Sequence, residues 1–195
     1  MNRRWARSLR LVSLLALLLG MASACAGPEA EPGAVHVLTA QGNVGPVMAR
    51  YIDRGIDHAE DEGAAAVVIQ LDTPGGLLTS MDDIVKRVLA ARVPVVVYVW
   101  PPGGRAASAG TFIVMAAHVA AMAPGTSIGA AAPVSLGSES DETLRDKATN
   151  DAAARIRDIA LLRGRNADWA EAAVREAASA SSDEALRIGV VDMVA

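Results

Sequence analysis

The sequence of 195 residues contains one cysteine, three histidines, two lysines and six aromatic residues. A single cysteine excludes an internal disulfide framework, and three scattered histidines argue against a zinc site. No metal and no cofactor is expected. Six aromatics against forty alanines describe a core of Ala, Val and Leu, suited to closely packed helices and buried strands. Such a core suits an aromatic-rich β-sandwich less. Basic charge is scarce beyond the N-terminus. Residues 1–25 hold four arginines and no acid, and the remainder carries 14 basic against 22 acidic groups, so a nucleic-acid partner is not expected. What the chain has in quantity is apolar surface. At 52% apolar and 21% charged it can bury one sizeable core, and it is not disordered.

The N-terminus reads as an address. Arg3, Arg4, Arg7 and Arg10 precede an apolar run from Leu11 to Leu19, followed by small residues up to Cys25. A basic stretch, a short apolar run and a small-residue exit describe a secretory signal over 1–25. The run is shorter than the roughly 20 residues that a membrane span needs. Ala22-Ser23-Ala24-Cys25 also resembles a bacterial lipoprotein signal, which implies lipidation of Cys25 and acyl chains holding the protein at a membrane. Residues 26–33 read as a tether, and 34–195 as the folded domain. The expected location is exported and membrane-associated, on the extracytoplasmic face.

Past the tether, strand and helix signals alternate. The strand signals are Ala34–Leu38, Ala65–Leu71, Val95–Trp100, Val119–Ala123 and Val190–Val194, nearly all continuous apolar runs. Helical spacing recurs over Gly45–Glu62, after a Ser80/Asp83 capping-box pattern, and near Ala109–Ala117. Further helices are expected over Asp151–Leu162, Asp168–Ala178 and Ser182–Ile188. Ser135–Asp146, rich in Ser, Gly and acids, reads as an exposed loop. The pattern predicts an α/β fold with a mostly parallel apolar sheet and flanking helices.

Two small-residue elbows follow buried strands, where open α/β sheets place ligand sites. The first is Asp72-Thr73-Pro74-Gly75-Gly76, whose glycines allow backbone N–H groups to approach a ligand closely. The second runs from Gly103 to Gly110 and carries Ser108 at the expected start of a helix. Ser108 is open to two readings there, a helix N-cap or an accessible nucleophile. No G-x-S-x-G elbow and no P-loop is present. His36 sits on an edge-like strand, His58 on a polar helix face, and His118 at the end of the helix after Ser108; each has an ordinary structural reading. Of the lysines, Lys86 projects opposite its helix's apolar face, and Lys147 falls just before an expected cap at Thr149 or Asn150. A lysine base must be desolvated to work near neutral pH.

Four ordered blocks carry a family resemblance: LDTPGG (71–76), RAASAG (105–110), APGTSIGAAAPV (123–134) and KATNDAAARIRDIALLRGRNADWAEAAVREA (147–177). Together they resemble the protease domain of NfeD proteins, membrane-bound serine proteases with a Clp protease/crotonase-like fold. The resemblance runs from about Ala34 to Val194. It implies a serine endopeptidase with a Ser-Lys dyad: Ser108 as nucleophile, Lys147 as general base, and the amides of Gly75 and Gly76 as oxyanion donors with Ala109 contributing. It also implies a homo-oligomer that cleaves apolar peptide segments of membrane-associated, stomatin-type proteins. Longer NfeD proteins continue into transmembrane helices and a small OB-type barrel, whereas this sequence ends at Ala195 as its last expected strand ends. Its membrane connection is then expected through the N-terminal signal or lipid. The alternative is a catalytically weak peptide-binding scaffold of the same fold.

Overall fold

The computed structural model describes residues 33–133 and 142–195; the expected signal, Cys25 and nearly all of the tether lie outside the described residues. The elements run β1 (Val35–Gln41), α1 (Pro46–Asp61), β2 (Ala66–Asp72), α2 (Leu78–Leu89), β3 (Val95–Val99), β4 (Arg105–Ala107), α3 (Ala109–Ala116) and β5 (Val119–Met122). They continue through β6 (Ser127–Gly129), α4 (Glu142–Leu162), α5 (Ala167–Arg175), β7 (Ser179–Ser181), α6 (Ser182–Arg187) and β8 (Met193–Val194). Five strands form one sheet in the order β1-β2-β3-β5-β8, with every pairing parallel. This is the α/β architecture that alternating apolar strands and helices predict.

The sheet buries one face more deeply than the other. Val67, Ile69 and Leu71 of β2 and Val95, Val97 and Val99 of β3 are wholly buried. They share one core cluster with Ile52 and Ile56 of α1, Ile84 and Val88 of α2, Ile113 of α3 and Ile156 of α4. Burying each such side chain contributes roughly 1.5–3 kcal/mol. The residues between them in β2 and β3 are only half-buried, so the continuous apolar runs alternate in burial.

A second, small sheet of order β4-β6-β7 has no counterpart among the expected elements. Its three-residue strands are built from Ala, Ser, Gly, one Arg and one Ile, and carry almost none of the β-branched or aromatic signal of a strand. It is stitched to the first sheet at Thr73. Thr73 N–H donates to the Arg105 carbonyl at 2.7 Å, and Ala107 N–H donates to the Thr73 carbonyl at 3.0 Å. The two elbows are thereby held side by side.

Two helix starts differ from expectation. α4 begins at Glu142, not Asp151, so Lys147 lies within a helix and Thr149 and Asn150 are interior. Glu142 sits in its first turn, where the dipole favours an acid, and Asn150 Oδ1 accepts from Arg175 at 2.6 Å instead of capping. α2 begins at Leu78, two residues before the Ser80 that reads as its cap; Ser80 is turned into the core.

Two arginines fix the helices. Arg87 of α2 reaches Asp57 at 2.7 Å and Asp53 and Glu60 at 3.2 Å on α1. Burial alone would raise the Glu60 carboxyl, but hydrogen bonds from Arg92 N–H and from the Arg87 and Arg92 guanidinium groups hold it down at about 2. Arg165, wholly enclosed, donates to the carbonyls of Met115 and Ala117 at 2.9 Å each and to Asp192 at 2.5 Å. It satisfies carbonyls at the C-terminal end of α3, which the helix itself leaves without partners.

Candidate active site

Ser108 occupies the single residue between β4 and α3. Its backbone has φ 53° and ψ −115°, a conformation that side-chain-bearing residues rarely adopt. The turn is pinned on every side. Ser108 N–H donates to the Gly129 carbonyl at 3.0 Å. The buried hydroxyl of Thr111 stands 3.1 Å from the Ala106 carbonyl and 3.0 Å from that of Gly129. Ser108 holds the N-cap position of α3, yet its side chain makes no capping hydrogen bond. The N-cap reading of this serine is set aside: its hydroxyl engages no other described residue and is half-exposed.

That hydroxyl faces the first elbow. Gly75 adopts φ +119°, and a Cβ placed on it would lie 2.7 Å from Ser108 Cβ and 3.1 Å from Ser108 Oγ. Only a residue without a side chain fits there. Gly75 N–H donates to Thr73 Oγ1 at 3.0 Å, while Gly76 and Ala109 have N–H groups with no partner among the described residues. Ala109 is the first residue of α3, where an N–H has no partner within the helix and points toward incoming negative charge. Asn43 to Gly45, Pro74 to Leu77, Ser108, Ala130 and Ala132 line a cleft of about 700 Å³. None of these side chains is charged. Leu77 in the lining is large and exposed, as are Leu78 and Val47, which follow the lining segments closely in sequence.

The structure gathers Ser108, Ala109, Gly75 and Gly76 into one place and leaves Lys147 apart. Lys147 is exposed on the first half of α4, does not line the cleft, and makes no hydrogen bond to Ser108. Residues 134–141, between the cleft wall and α4, lie outside the described residues. His118 is no base for Ser108, because it follows the far end of α3, about 12 Å along the helix axis. Its Nδ1 accepts from Val95 N–H at 3.2 Å. Burial first, and then the charges of Arg163 and Arg165, push it below the ordinary imidazole value. Arg105 does not pair with Asp72 through its guanidinium; the Asp72 carboxylate accepts from Arg105 N–H at 3.0 Å. The histidines are less scattered than the sequence implies, since His36, His58 and Glu62 converge on one spot.

Several site residues escape a sequence reading. Thr73 and Thr111 hold the elbows by buried hydroxyls, and Ala130, at φ 50°, forms one cleft wall. The one available signal was positional: Asn43-Val44-Gly45 is a third small-residue turn at the C-terminal end of a parallel strand.

Residues 34–187 match the family model described as NfeD1b, N-terminal domain. The membrane-bound protease PH1510 of Pyrococcus horikoshii is 39% identical over 188 residues, 95% of this chain and 41% of that protein. The membrane protein NfeD1b of Bacillus subtilis is 33% identical over 128 residues, 66% of this chain and 29% of that one. The chain thus spans less than half the length of these relatives. Among solved structures, a serine-to-alanine mutant of the 1510-N membrane-bound stomatin-specific protease superposes with a TM-score of 0.78 at 40% identity, covering 85% of this chain and 81% of that one. A lysine-to-alanine mutant of the same protease, in complex with a substrate peptide, also gives 0.78 at 40% identity, covering 84% and 75%. ClpP1 from Listeria monocytogenes shares the fold, with a TM-score of 0.65 at 18% identity over 82% of this chain and 90% of that one.

Proposed function

The chain belongs to the NfeD1b N-terminal domain family, and on that premise we propose that it is a serine endopeptidase with Ser108 as nucleophile. The observation that carries this reading is the strained, uncapped Ser108 turn beside Gly75 in an uncharged cleft. In the proposed reaction Ser108 Oγ attacks the scissile carbonyl carbon while the neutral amine of Lys147 takes the hydroxyl proton. The oxyanion is held by backbone N–H groups of Gly76 and Ala109, with Gly75 beside them. Collapse breaks the C–N bond, and the protonated lysine returns its proton to the leaving amine. Water then hydrolyses the acyl ester on Ser108.

Lys147 enters this scheme on the resemblance of its sequence block. The mutated serine and lysine of the solved relative are consistent with it. For catalysis Lys147 must move from its exposed position on α4 to hydrogen-bonding distance of Ser108, as peptide or a second subunit fills the cleft. The substrates are proposed to be apolar segments of membrane-associated proteins of the stomatin type. The uncharged lining of the cleft and the stomatin specificity of the solved relative both support this. Export, acylation of Cys25, attachment to the extracytoplasmic face through the N-terminal signal or lipid, and homo-oligomer formation belong to the same proposal. Both curated relatives are described as membrane-bound or membrane proteins. Among the described residues no helix is long and apolar enough to cross a membrane.

The exposure of Lys147 favours a second reading, a scaffold that binds apolar peptide without cutting it. A fluorophosphonate probe separates the two. The peptidase labels at Ser108, loses labelling in Ser108→Ala, and loses peptide cleavage in both Ser108→Ala and Lys147→Ala with little change in Tm. Peptide binding without labelling identifies the scaffold. Cleavage retained in Ser108→Ala overturns the mechanism.

A further inference from the structure

We propose that His36, His58 and Glu62 form a binding site for a zinc-class divalent ion, away from the Ser108 cleft. His58 and Glu62 are four residues apart at the C-terminal end of α1 and share one face of it. His36, near the start of β1, meets them from the sheet. His36 Nε2 lies 3.1 Å from Glu62 Oε2, and His58 Nε2 lies 3.2 Å from Glu62 Oε1. One ligand atom from each of the three residues falls within 4.8 Å of the other two.

The spacing fits a tetrahedral ion. Ligand atoms at about 2.0–2.1 Å from Zn²⁺ stand about 3.3–3.4 Å apart, and each imidazole nitrogen here stands at a comparable distance from its own Glu62 oxygen, so the carboxylate lies within reach of both rings. The imidazole rings are 5.4 Å apart between centroids and inclined by 69°, edge to face and not stacked. Two imidazoles and one carboxylate suit Zn²⁺, Co²⁺, Ni²⁺ or Cu²⁺ and not the oxygen-seeking Mg²⁺ or Ca²⁺. The His36 side chain is 16% exposed, Glu62 24% and His58 65%, which gives the ion an entry path and leaves a fourth position for water. The pair on α1 and the single ligand on β1 make the ion a staple. It would fasten the outermost strand of the sheet to its covering helix, at the end of the sheet opposite Ser108.

The test is calorimetric titration of the EDTA-stripped full chain with ZnCl₂, with Co²⁺ absorption as a second readout. One zinc per chain is expected, with a tetrahedral Co²⁺ spectrum and a Tm raised by about 5–10 °C at a hundredfold excess over Kd. His58→Ala, an exposed substitution that the fold tolerates, should weaken binding at least about tenfold, and Glu62→Gln likewise. Cys25→Ser should leave stoichiometry and affinity unchanged. Absence of zinc binding, unchanged binding in His58→Ala, or loss of binding in Cys25→Ser each overturns the site. Peptide cleavage is not read in this assay, so its result is independent of the proposed peptidase activity.

Discussion

Replacing Gly75 by alanine should disable Ser108 while leaving the fold standing. Two costs follow from the structure. The first is conformational: φ +119° is a region populated almost only by glycine, and holding an alanine there costs on the order of 1–3 kcal/mol. At about 2–4 °C per kcal/mol for a chain of this size, Tm should fall by roughly 2–12 °C. The second cost falls on Ser108, the proposed nucleophile. The new methyl carbon would lie 2.7 Å from Ser108 Cβ, where carbon atoms normally sit about 3.5–4.0 Å apart. Something must yield by about 1 Å, and the Ser108 turn is fixed through Gly129 and Thr111. A 1 Å misplacement at a reacting centre costs about 100-fold in rate. The assay is the rate of fluorophosphonate labelling beside peptide kcat/KM, with a thermal melt on the same sample. Gly76→Ala is the contrast. Its methyl would lie 2.1 Å from the Val44 carbonyl oxygen and 2.6 Å from Val44 N, breaking the bridge between two chain segments. That variant should lose Tm well beyond the range given for Gly75→Ala. A Gly75→Ala variant with wild-type labelling rate and unchanged Tm would refute the placement of Gly75 against Ser108.

Ser108→Gly should melt at a higher temperature than Ser108→Ala, since glycine relieves the positive-φ strain that alanine keeps; equal midpoints would argue against that strain. Glu60 gives a pH signature. Its folded carboxyl titrates near 2 against an ordinary 4.5, so its contribution is complete above about pH 4.5 and is lost as pH falls towards 2. Allowing for solvent screening, it is worth on the order of 1–2 kcal/mol, and Glu60→Gln should flatten the acid limb of a stability–pH curve. Arg165→Met should destabilise by on the order of 3 kcal/mol in urea, because the carbonyls of Met115 and Ala117 lose their charged donor; a loss under 1 kcal/mol would assign the clamp little weight.

The large sheet was legible because its strands are runs of Val, Ile and Leu between helices with a clear apolar spacing. Strand ends and the α1 and α3 boundaries matched within a few residues for the same reason. The small sheet was illegible because backbone pairing through Thr73, and not side-chain type, makes it. The start of α4 was misplaced because Ser135–Asp146 has loop-like composition as a whole. Its last five residues, Glu142 to Asp146, nevertheless continue into α4 as helix. The histidine cluster was missed for a third reason. His36 and His58 are 22 positions apart, and only the parallel pairing of β1 with β2, which folds α1 back over the sheet, brings them together.

The same distinction governs how much of the site could be read. Gly75, Gly76 and Ser108 are short-range features, each marked by a local residue type that a tight turn needs, and they meet because their strands are joined by direct backbone pairing. Lys147 has no such local mark. It is one of two lysines and stands on an exposed helix turn, and its block of sequence, not its surroundings, ties it to Ser108 in the proposed mechanism. A lysine that must lose its proton to act gains from entering the apolar cleft only when substrate has displaced the water there. The proposed nucleophile and oxyanion amides are therefore built into the sheet and its turns. The proposed proton acceptor, Lys147, is carried on a separate helix, and in the proposed mechanism docking of that helix against bound peptide would couple cleavage to the presence of a substrate.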